Sequence, residues 1–426
     1  MLYTKATIIT VNGNRDIIED GAILVQSDKL AAIGKTKELT SLYPHESVTE
    51  LEGRIIIPGL INTHMHTAQT LLRGTADDLE LVSWLCERIW PLQGNFTTED
   101  GYAAARLSIV EMLKSGTTTF LESMFADRYG FDGLCRAVEE SGIRGCLGKI
   151  VMDVGTYASD PKWAMHPGLV ENRGMSLVGV VKMHEKWDGK ADGRIRVWFG
   201  ARTPGGVSEG LYKEMTTISR EKNIPITMHC AEAPADRTFF ASHSHTPMSY
   251  CDLRKPELAS GICKVPELLA AGVNVTLGTD GAPCNNTCDM LQEQRLAGIL
   301  HKVSTMNPTS VPAETVMELA TINGARALGL ADSIGSLEVG KKADFVVLDM
   351  RAPHLQPWHN PVSAVVYSAT GRDVELVLVD GKEVVRDGKL LTMDEEAVWK
   401  EAARRSKEVV ARAGLTKQVG AKWPVK

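Results

Sequence analysis

The sequence predicts an α/β protein whose centre is a (β/α)8 barrel, accompanied by a small β-sandwich formed by both ends of the chain. Strand-like and helix-like segments alternate strictly through the middle of the sequence, as in parallel strands joined by helices. Short strands separated by turns occupy both ends. The chain has 426 residues, which is too long for a single small core. These three observations together support the predicted fold class.

Changes in the pattern of predicted strands and helices divide the chain into four predicted parts. Residues 1–57 form the first part of the predicted sandwich, and residues 335–393 form its second part. Residues 58–334 form the predicted barrel between them. Residues 394–426 are rich in charge, so we expect a solvent-facing helix followed by a tail.

Both parts of the predicted sandwich carry short strands. In the first part these are Ala6–Val11, Gly21–Gln26 and Leu30–Ile33, and the last two alternate apolar and polar residues. The same pattern returns in Gly335–Asp349 and Val374–Leu391. Because both β-rich ends flank one long middle, we expect them to form one β unit.

The barrel begins with Ile55–Thr67, an apolar run that ends in two histidines. A continuous apolar run is typical of a strand buried on both faces. Residues two apart on a strand face the same side, so His64 and His66 can converge at its carboxyl end. Neutral imidazole is a good ligand for zinc and related metals. The alternative, two surface histidines in a loop, does not explain the apolar strand before them.

The rest of the barrel follows from alternating segments. Thr97 or Thr98 can cap a helix with acidic residues in its first turn, which runs to Lys114 and stops near Gly116. The further predicted strands are Thr117–Glu122, Arg144–Asp153, Arg194–Ala201, Ile224–Cys230 and Val273–Thr279. The further predicted helices run through Asp132–Ser141, Gly210–Arg220 and Val265–Ala271. In such a barrel, the chemistry lies at the carboxyl ends of the strands.

Two of these strands end in residues that complete a metal site. His229 ends Ile224–Cys230, and Asp280 follows Val273–Thr279. Three histidines and an aspartate leave room for one water on a single divalent ion, as a catalytic site requires. The ion lowers the pKa of that water toward neutrality, and Glu232 is placed to carry a proton to the leaving group. Alternatively, Asp280 is a turn or capping aspartate, and Glu232 is a surface carboxylate.

The motifs around these residues resemble those of the amidohydrolase superfamily, in its branch of aromatic-ring deaminases and triazine hydrolases. The resemblance spans nearly the whole chain and rests on Pro58–His66, His229–Glu232, Gly278–Pro283 with Asn285 and Asn286, and Gly335–Asp344. It implies a (β/α)8-type metal-dependent hydrolase with one ion, zinc or iron, bound by His64, His66, His229 and Asp280. It also implies that Glu232 shuttles protons and that Asp280 acts as a base.

Within that branch, the chain looks most like the methylthioadenosine/S-adenosylhomocysteine deaminases, through the segments around Trp90. After Trp-Pro-Leu those enzymes usually carry a glutamate that grips ribose, whereas this chain has Gln93. Where the branch commonly shows His-Ala-Pro after the fourth strand, this chain has Arg202. A guanidinium suits an anionic or carbonyl-bearing ring better than adenine, although Arg202 could instead form a salt bridge at the barrel rim. Trp90, Gln93 and Arg202 are therefore the candidate substrate-binding residues.

Two strands of a complete barrel have no counterpart in the sequence. Within residues 233–272 no apolar run reaches strand length, and a strand–helix–strand unit takes roughly 30 residues. The resemblance implies a sixth strand there, ending in a substrate-contacting histidine, and a seventh. We predict a barrel that lacks both, with low or no activity unless a neighbouring chain fills the gap. His243 and His245 could supply an imidazole from a loop, but exposed helix-end histidines are the simpler interpretation.

Two other patterns resemble reactive sites. Gly206–Gly210 matches the Gly-x-Ser-x-Gly motif, but Thr203–Gly205 separates it from the preceding strand. We therefore predict that Ser208 caps a helix. Cys284 and Cys288 have no histidine partner in register, so we predict that they pack in the core.

Composition constrains the partners and the location. The net charge of −6 argues against a basic nucleic-acid footprint. No apolar run reaches membrane-spanning length, and the first residues lack a signal-peptide pattern. Eight scattered cysteines without a Cys-x-x-Cys pair favour a reducing cytoplasm. We expect a small-molecule substrate, no nucleic-acid or membrane partner, and a homo-oligomer.

Three functions remain open at this point. The first is hydrolytic removal of ammonia from a nitrogen heterocycle by a metal-bound hydroxide. The second is displacement of chloride or an alkylamine, or opening of a cyclic amide, on the same scaffold. The third is a catalytically impaired protein kept for binding or assembly. Ammonia release from purines, pterins and pyrimidines separates the first from the second.

Overall fold

Two sheets organise the fold. The structure, a computed structural model, describes residues 1–155, 164–202, 206–230 and 261–424. One sheet has nine strands and is built from both ends of the chain, and the other has five parallel strands that form half of a barrel. The predicted α/β class with a barrel-like centre is therefore confirmed.

The strands are numbered in chain order. Those before the half-barrel are β1 (Leu2–Ile9), β2 (Ile17–Gln26), β3 (Lys29–Lys35), β4 (Val48–Glu50) and β5 (Arg54–Pro58). Those of the half-barrel are β6 (Leu60–Met65), β7 (Thr117–Phe125), β8 (Arg144–Val151), β9 (Ile195–Ala201) and β10 (Ile226–Met228). Those after it are β11 (Phe345–Asp349), β12 (Val374–Val379), β13 (Lys382–Arg386) and β14 (Lys389–Leu390).

The nine-stranded sheet joins the two ends of the chain through β5. This strand pairs in parallel with β1 and antiparallel with β11, where Ile56 lies opposite Val347. The hydrogen bonds link all nine strands into one sheet, so the predicted two-layer sandwich is not confirmed. The sheet also curls, because Ala343 N donates to Asp28 O at 2.8 Å and brings the turn between β2 and β3 to the start of β11.

The five strands of the half-barrel lie side by side in chain order, from β6 to β10. The predicted strand Val273–Thr279 is wrong in detail, because the segment makes a single bridge to β6, between Met65 and Asp280. The side chain of Asn62 accepts the hydrogen bond from Thr279 N at 3.0 Å, in place of a backbone partner. The segment still delivers Asp280 to the carboxyl end of β6.

The predicted loss of strands six and seven concerns residues 233–272, of which the structure describes only 261–272, and His243 and His245 lie outside the described residues. It therefore stays a prediction. The part boundaries after residues 57, 334 and 393 also stay predictions. No helix in the described part of the chain is long and apolar enough to cross a membrane.

Helices surround the half-barrel. The α-helices of six or more described residues are Thr36–Leu42, Thr98–Lys114, Phe131–Ser141, Gly179–Trp187, Glu209–Lys222, Val265–Ala270, Met290–Thr305, Ala313–Leu319, Ile322–Ala327, Pro361–Ser368 and Glu395–Arg412. The predicted cap at Thr97 is confirmed, since its hydroxyl accepts from Asp100 N and the Asp100 carboxylate accepts from Thr97 N at 2.8 Å. That helix ends at Lys114, and Gly116, with a φ of 87°, turns the chain into β7.

The helix Glu395–Arg412 differs from its prediction as a solvent-facing helix. One of its faces packs on the helix Thr98–Lys114. The buried residues of that face are Val398, Ala402, Val409 and Val410. Their spacing places them on one side of the helix, so only the opposite side is charged and exposed. Near its end, Arg412 forms an ion pair with the buried Asp100.

Candidate metal centre and pocket

The four predicted metal ligands come together at the carboxyl ends of the strands. His64 lies in β6 and His66 directly follows it, while His229 follows β10. Asp280 arrives on the segment beside β6. All four residues are buried, with at most 7% of their surface exposed. Ring nitrogens of the three histidines lie within 4.8 Å of one another.

The spacing of these groups fits a single ion. Nε2 of His66 lies 3.0 Å from Nε2 of His229 and 3.5 Å from Oδ1 of Asp280. Nε2 of His64 lies 3.6 Å from the same oxygen. Ligands arranged tetrahedrally around one ion, at bonds of about 2.0–2.1 Å, are separated by about 3.3 Å. Imidazole and carboxylate donors suit zinc or iron, so both spacing and chemistry fit one such ion.

The backbone holds Asp280 in place. Its N–H donates to the carbonyl oxygen of His64 at 2.9 Å, and its own Oδ1 accepts from Gly281 N at 2.6 Å. Its φ of 58° lies in the left-handed region, which aspartate tolerates better than most residues. A rarely populated backbone conformation held by its surroundings is common at functional sites.

Sequence reasoning missed two residues at the end of β7. The Oγ of Ser123 lies 2.9 Å from Nδ1 of His64. The fully buried Glu122 lies 3.7 Å from Nδ1 of His66 and accepts hydrogen bonds from the backbone and side chain of Thr67. Their position at a strand end was the available signal, because the carboxyl ends of neighbouring parallel strands meet at one edge.

An aromatic pocket opens beside the candidate ligands. Its lining combines His66, His229 and Asp280 of the candidate centre with aromatic side chains. All three predicted substrate-binding residues line it, namely Trp90, Gln93 and Arg202. Trp84 and Tyr129 add further aromatic walls. The pocket therefore presents flat aromatic side chains directly beside the candidate ligands.

Arg202 brings a buried cation into this pocket. It follows β9, is only 7% exposed, and its Cζ lies 5.2 Å from the centroid of the Trp90 ring. This contact is a cation–π interaction, which orients the guanidinium. Burial raises the pKa of Tyr129 far above its usual range, so the phenol stays protonated. Arg202 and Tyr129 are thus hydrogen-bond donors in the pocket wall.

Gln69 is a further pocket residue that sequence reasoning missed. It lies in the 3-10 helix Thr67–Leu72, directly after the second histidine, and is 7% exposed. Its Oε1 is buried and has no hydrogen-bond partner within the described ranges. A Cβ on Gly281 would lie 1.7 Å from that oxygen, so a larger residue after Asp280 would require the Gln69 side chain to move. Only its position three residues past His66 marks it in the sequence.

Other predictions have mixed outcomes. Glu232, the predicted proton carrier, lies outside the described residues. Ser208 caps a helix as predicted, with its Oγ accepting from Leu211 N at 3.2 Å. Cys284 and Cys288 are fully buried, which confirms that they pack in the core.

Comparison with known proteins adds to this geometry. The family model described as "Amidohydrolase family" matches residues 55–256 and 240–384. A 5'-deoxyadenosine deaminase of Methanosarcina acetivorans is 36% identical over 458 residues, covering 97% of this chain and 99% of the relative. A 5-methylthioadenosine/S-adenosylhomocysteine deaminase of Syntrophomonas wolfei is 34% identical over 450 residues, covering 97% of this chain and 100% of the relative.

A solved structure extends the similarity to the fold. The zinc-bound adenosine deaminase of Xanthomonas campestris superposes with a TM-score of 0.85 at 27% sequence identity. The match covers 96% of this chain and 98% of that chain. The similarity therefore includes nearly the whole length of both proteins.

Proposed function

Because this chain belongs to the amidohydrolase family, and is a metal-dependent hydrolase of that family, we propose that it removes an amino group from a purine-like heterocycle by hydrolysis. The observation that carries the proposal is the buried set of three histidines and one aspartate beside an aromatic pocket. The relatives named above are deaminases of adenosine-type compounds, and their names agree with this reaction.

We assign the ion to His64, His66, His229 and Asp280, with zinc or iron as its identity. A divalent ion held there supplies a water of near-neutral pKa as the nucleophile. We propose one ion rather than two. Lys149, the buried lysine of β8, is engaged by Glu171 at 3.1 Å and packs against the helix Gly179–Trp187. It is therefore not available as a bridging ligand.

Two carboxylates carry the protons in this proposal. Asp280 is the base, since it is only 1% exposed and its carboxylate lies beside the histidine rings and lines the pocket. Glu232 passes a proton to the leaving nitrogen, because it follows His229 by only three residues. Departure as ammonia needs that proton, since an amide anion is a very poor leaving group.

The pocket sets the class of ring that we propose. Trp90 and Trp84 offer flat apolar surfaces to a heterocycle. Arg202 offers a planar fork of donors, which a ring carbonyl or carboxylate accepts better than an unsubstituted adenine edge. Gln93 is a neutral amide in the same wall. We therefore propose a substrate with both a ring amine and a carbonyl or anionic acceptor.

The test is an ammonia-release assay on protein loaded with zinc or iron. The panel contains adenosine-type nucleosides, amino-oxopurines, pterins and aminopyrimidines. Chloro-triazines and cyclic amides are included to test the alternative reactions, displacement of chloride and opening of a ring. We expect ammonia from a ring that bears both an amine and a carbonyl. Loaded protein that releases ammonia from none of them would contradict deamination, and release from adenosine-type nucleosides alone would contradict the role given to Arg202.

A further inference from the structure

The carboxyl end of β7 reaches His64 of β6 and His66, which directly follows that strand, with two consecutive residues. Neighbours on a regular strand point to opposite faces, so they cannot normally serve the same site. Here the pairing is irregular on both sides of β7. It shifts between Asn62 and Met65 against β6, and between Glu122 and Phe125 against β8. Such bulges re-aim side chains, and this one turns Glu122 and Ser123 toward one centre.

Ser123 fixes one end of the His64 ring. Its Oγ lies 2.9 Å from Nδ1, and both residues are at most 2% exposed. A neutral imidazole carries its proton on one nitrogen only, and the hydrogen bond at the other nitrogen decides which. A serine hydroxyl can accept from Nδ1–H or donate to Nδ1, and in the first arrangement Nε2 keeps its lone pair. That nitrogen is the one that lies 3.6 Å from Oδ1 of Asp280.

Glu122 lies beside His66, though beyond hydrogen-bond distance, and its Oε1 also accepts from Met124 N at 3.3 Å. Its Oε1 lies 3.7 Å from Nδ1 of that ring, and its Oε2 is held by Thr67, from the backbone N–H at 2.8 Å and from Oγ1 at 2.5 Å. A fixed, buried carboxylate beside Nδ1 favours the proton on that nitrogen. Nε2 of His66 then faces Asp280 and His229.

We propose that Ser123 and Glu122 are positioning residues that fix His64 and His66 in the tautomer that offers Nε2 to the metal. This inference rests on the proposed metal centre and assigns it a second layer of side chains. Groups in that layer change metal affinity by about 10–100-fold when they are lost. In this arrangement two consecutive residues of β7 orient His64 and His66 at the end of the neighbouring strand β6.

The test measures metal affinity, by competition of the full-length protein with a chromophoric chelator for zinc. We expect Ser123→Ala to bind zinc about 10–100-fold more weakly than the wild type. Ser123→Thr keeps the hydroxyl and should restore most of the affinity. Ser141→Ala is the matched control, because Ser141 is also fully buried and its Oγ bonds to backbone groups at a helix end, donating to Val138 O and accepting from Ile143 N. It should leave zinc affinity unchanged.

A purely structural role for Ser123 predicts different results. In that case metal-free Ser123→Ala would unfold at a lower temperature than metal-free Ser141→Ala. Its zinc affinity and the visible spectrum of its cobalt(II) form would equal those of the wild type. Either unchanged affinity or an unchanged cobalt spectrum overturns the inference. If Ser123→Ala does not fold, Glu122→Gln decides by the same two measurements. A wild type that binds no metal overturns the metal centre itself, whereas a metal-binding wild type with unaltered variants overturns only this inference.

Discussion

Single side chains at the candidate centre are closely interdependent. His66 has Nε2 contacts of 3.0 Å to His229 and 3.5 Å to Asp280, in a site with almost no solvent exposure. If His66 were replaced by water, its contacts to both His229 and Asp280 would be lost, and both of these side chains could move. Metal binding and the position of each ring are therefore expected to change together.

The first prediction is the loss of the ion when His64 is replaced. We expect wild-type protein to purify with about one zinc or iron per chain, and His64→Ala to retain almost none, because three ligands hold the ion much less tightly than four. Elemental analysis of dialysed protein provides the measurement. His45→Ala, which removes an exposed histidine, should keep the full metal content. Two ions per wild-type chain would contradict the single-ion centre.

The second prediction concerns Arg202. Replacing it with alanine removes a charged hydrogen-bond donor from the pocket wall, and we expect kcat/KM to fall about 10–100-fold, mainly through KM. Arg202→Lys should recover only part of this, because an ammonium lacks the planar fork. Steady-state kinetics on the best substrate of the panel checks both values. Arg220→Ala, at an exposed helix position, is the control, and equal kinetics for all three variants would refute the role.

The residues of the centre were predictable to different degrees. The pair His64 and His66 follows an apolar strand, and His229 likewise ends a strand run, so their convergence follows from barrel geometry. The strand-end signal was weaker for the pair Glu122 and Ser123, because on a regular strand these neighbours would point to opposite faces and only one of them could face the centre. Gln69 depends on the 3-10 helix after the second histidine, which no periodicity in the sequence reveals.

At the scale of helices and strands, end signals decided what could be predicted. The helix Thr98–Lys114 was predicted to within a residue because Thr97 and Gly116 mark its ends. The helix Glu395–Arg412 was predicted in place, but its buried face was missed because charged residues outnumber the apolar ones in it. Local patterns therefore locate a helix well, while the surface that it contacts depends on the rest of the fold.

The third prediction tests how the C-terminal helix is anchored. Asp100 is fully buried, caps its own helix, and pairs with Arg412 and Arg405 of the C-terminal helix. Asp100→Asn removes the charge that both guanidinium groups share, and we expect the free energy of unfolding to fall by about 3 kcal/mol. Urea unfolding followed by circular dichroism gives the value. The same chemical change at its exposed neighbour, Glu99→Gln, should have little effect, and equal losses would contradict the anchor.

The C-terminal helix also reaches the segments that line the pocket. Ser406 Oγ donates to Leu71 O at 2.6 Å, at the end of the 3-10 helix that carries Gln69. Arg412 Nε donates to Asn95 O at 3.1 Å, two residues past Gln93. A helix distant in sequence thus contacts both segments beside the centre, so the loss of this helix is expected to disturb substrate binding as well as stability.

At the scale of the whole molecule, one buried cluster joins the half-barrel to the nine-stranded sheet. Arg144, the first residue of β8, pairs with Asp344 before β11 and with Asp380 after β12. It also donates to Thr119 Oγ1 of β7 at 3.2 Å. All three charged residues are at most 5% exposed. The sequence pattern placed these residues in separate parts and gave no indication that they meet.

The fourth prediction follows from that cluster. Arg144→Met leaves two buried carboxylates with Lys342, 3.7 Å from Asp380, as their remaining neighbouring cation, and we expect the free energy of unfolding to fall by about 3–5 kcal/mol. Chemical denaturation provides the measurement. Arg220→Met makes the same change at an exposed position and should unfold like the wild type. A loss no larger than that of the control would show that the junction depends on other contacts.

The place of β5 in the nine-stranded sheet has a consequence for protein synthesis. β5 sits between β1 and β11, and β11 emerges from the ribosome only after residues 59–344 have been made. At about 5–20 residues per second, the apolar edge of β5 waits for its partner on the order of tens of seconds. During that time it is an open strand edge in a nascent chain, which invites pairing with other chains. Yield in a host cell should therefore respond to chaperone supply and slower expression more than to any change at the metal centre.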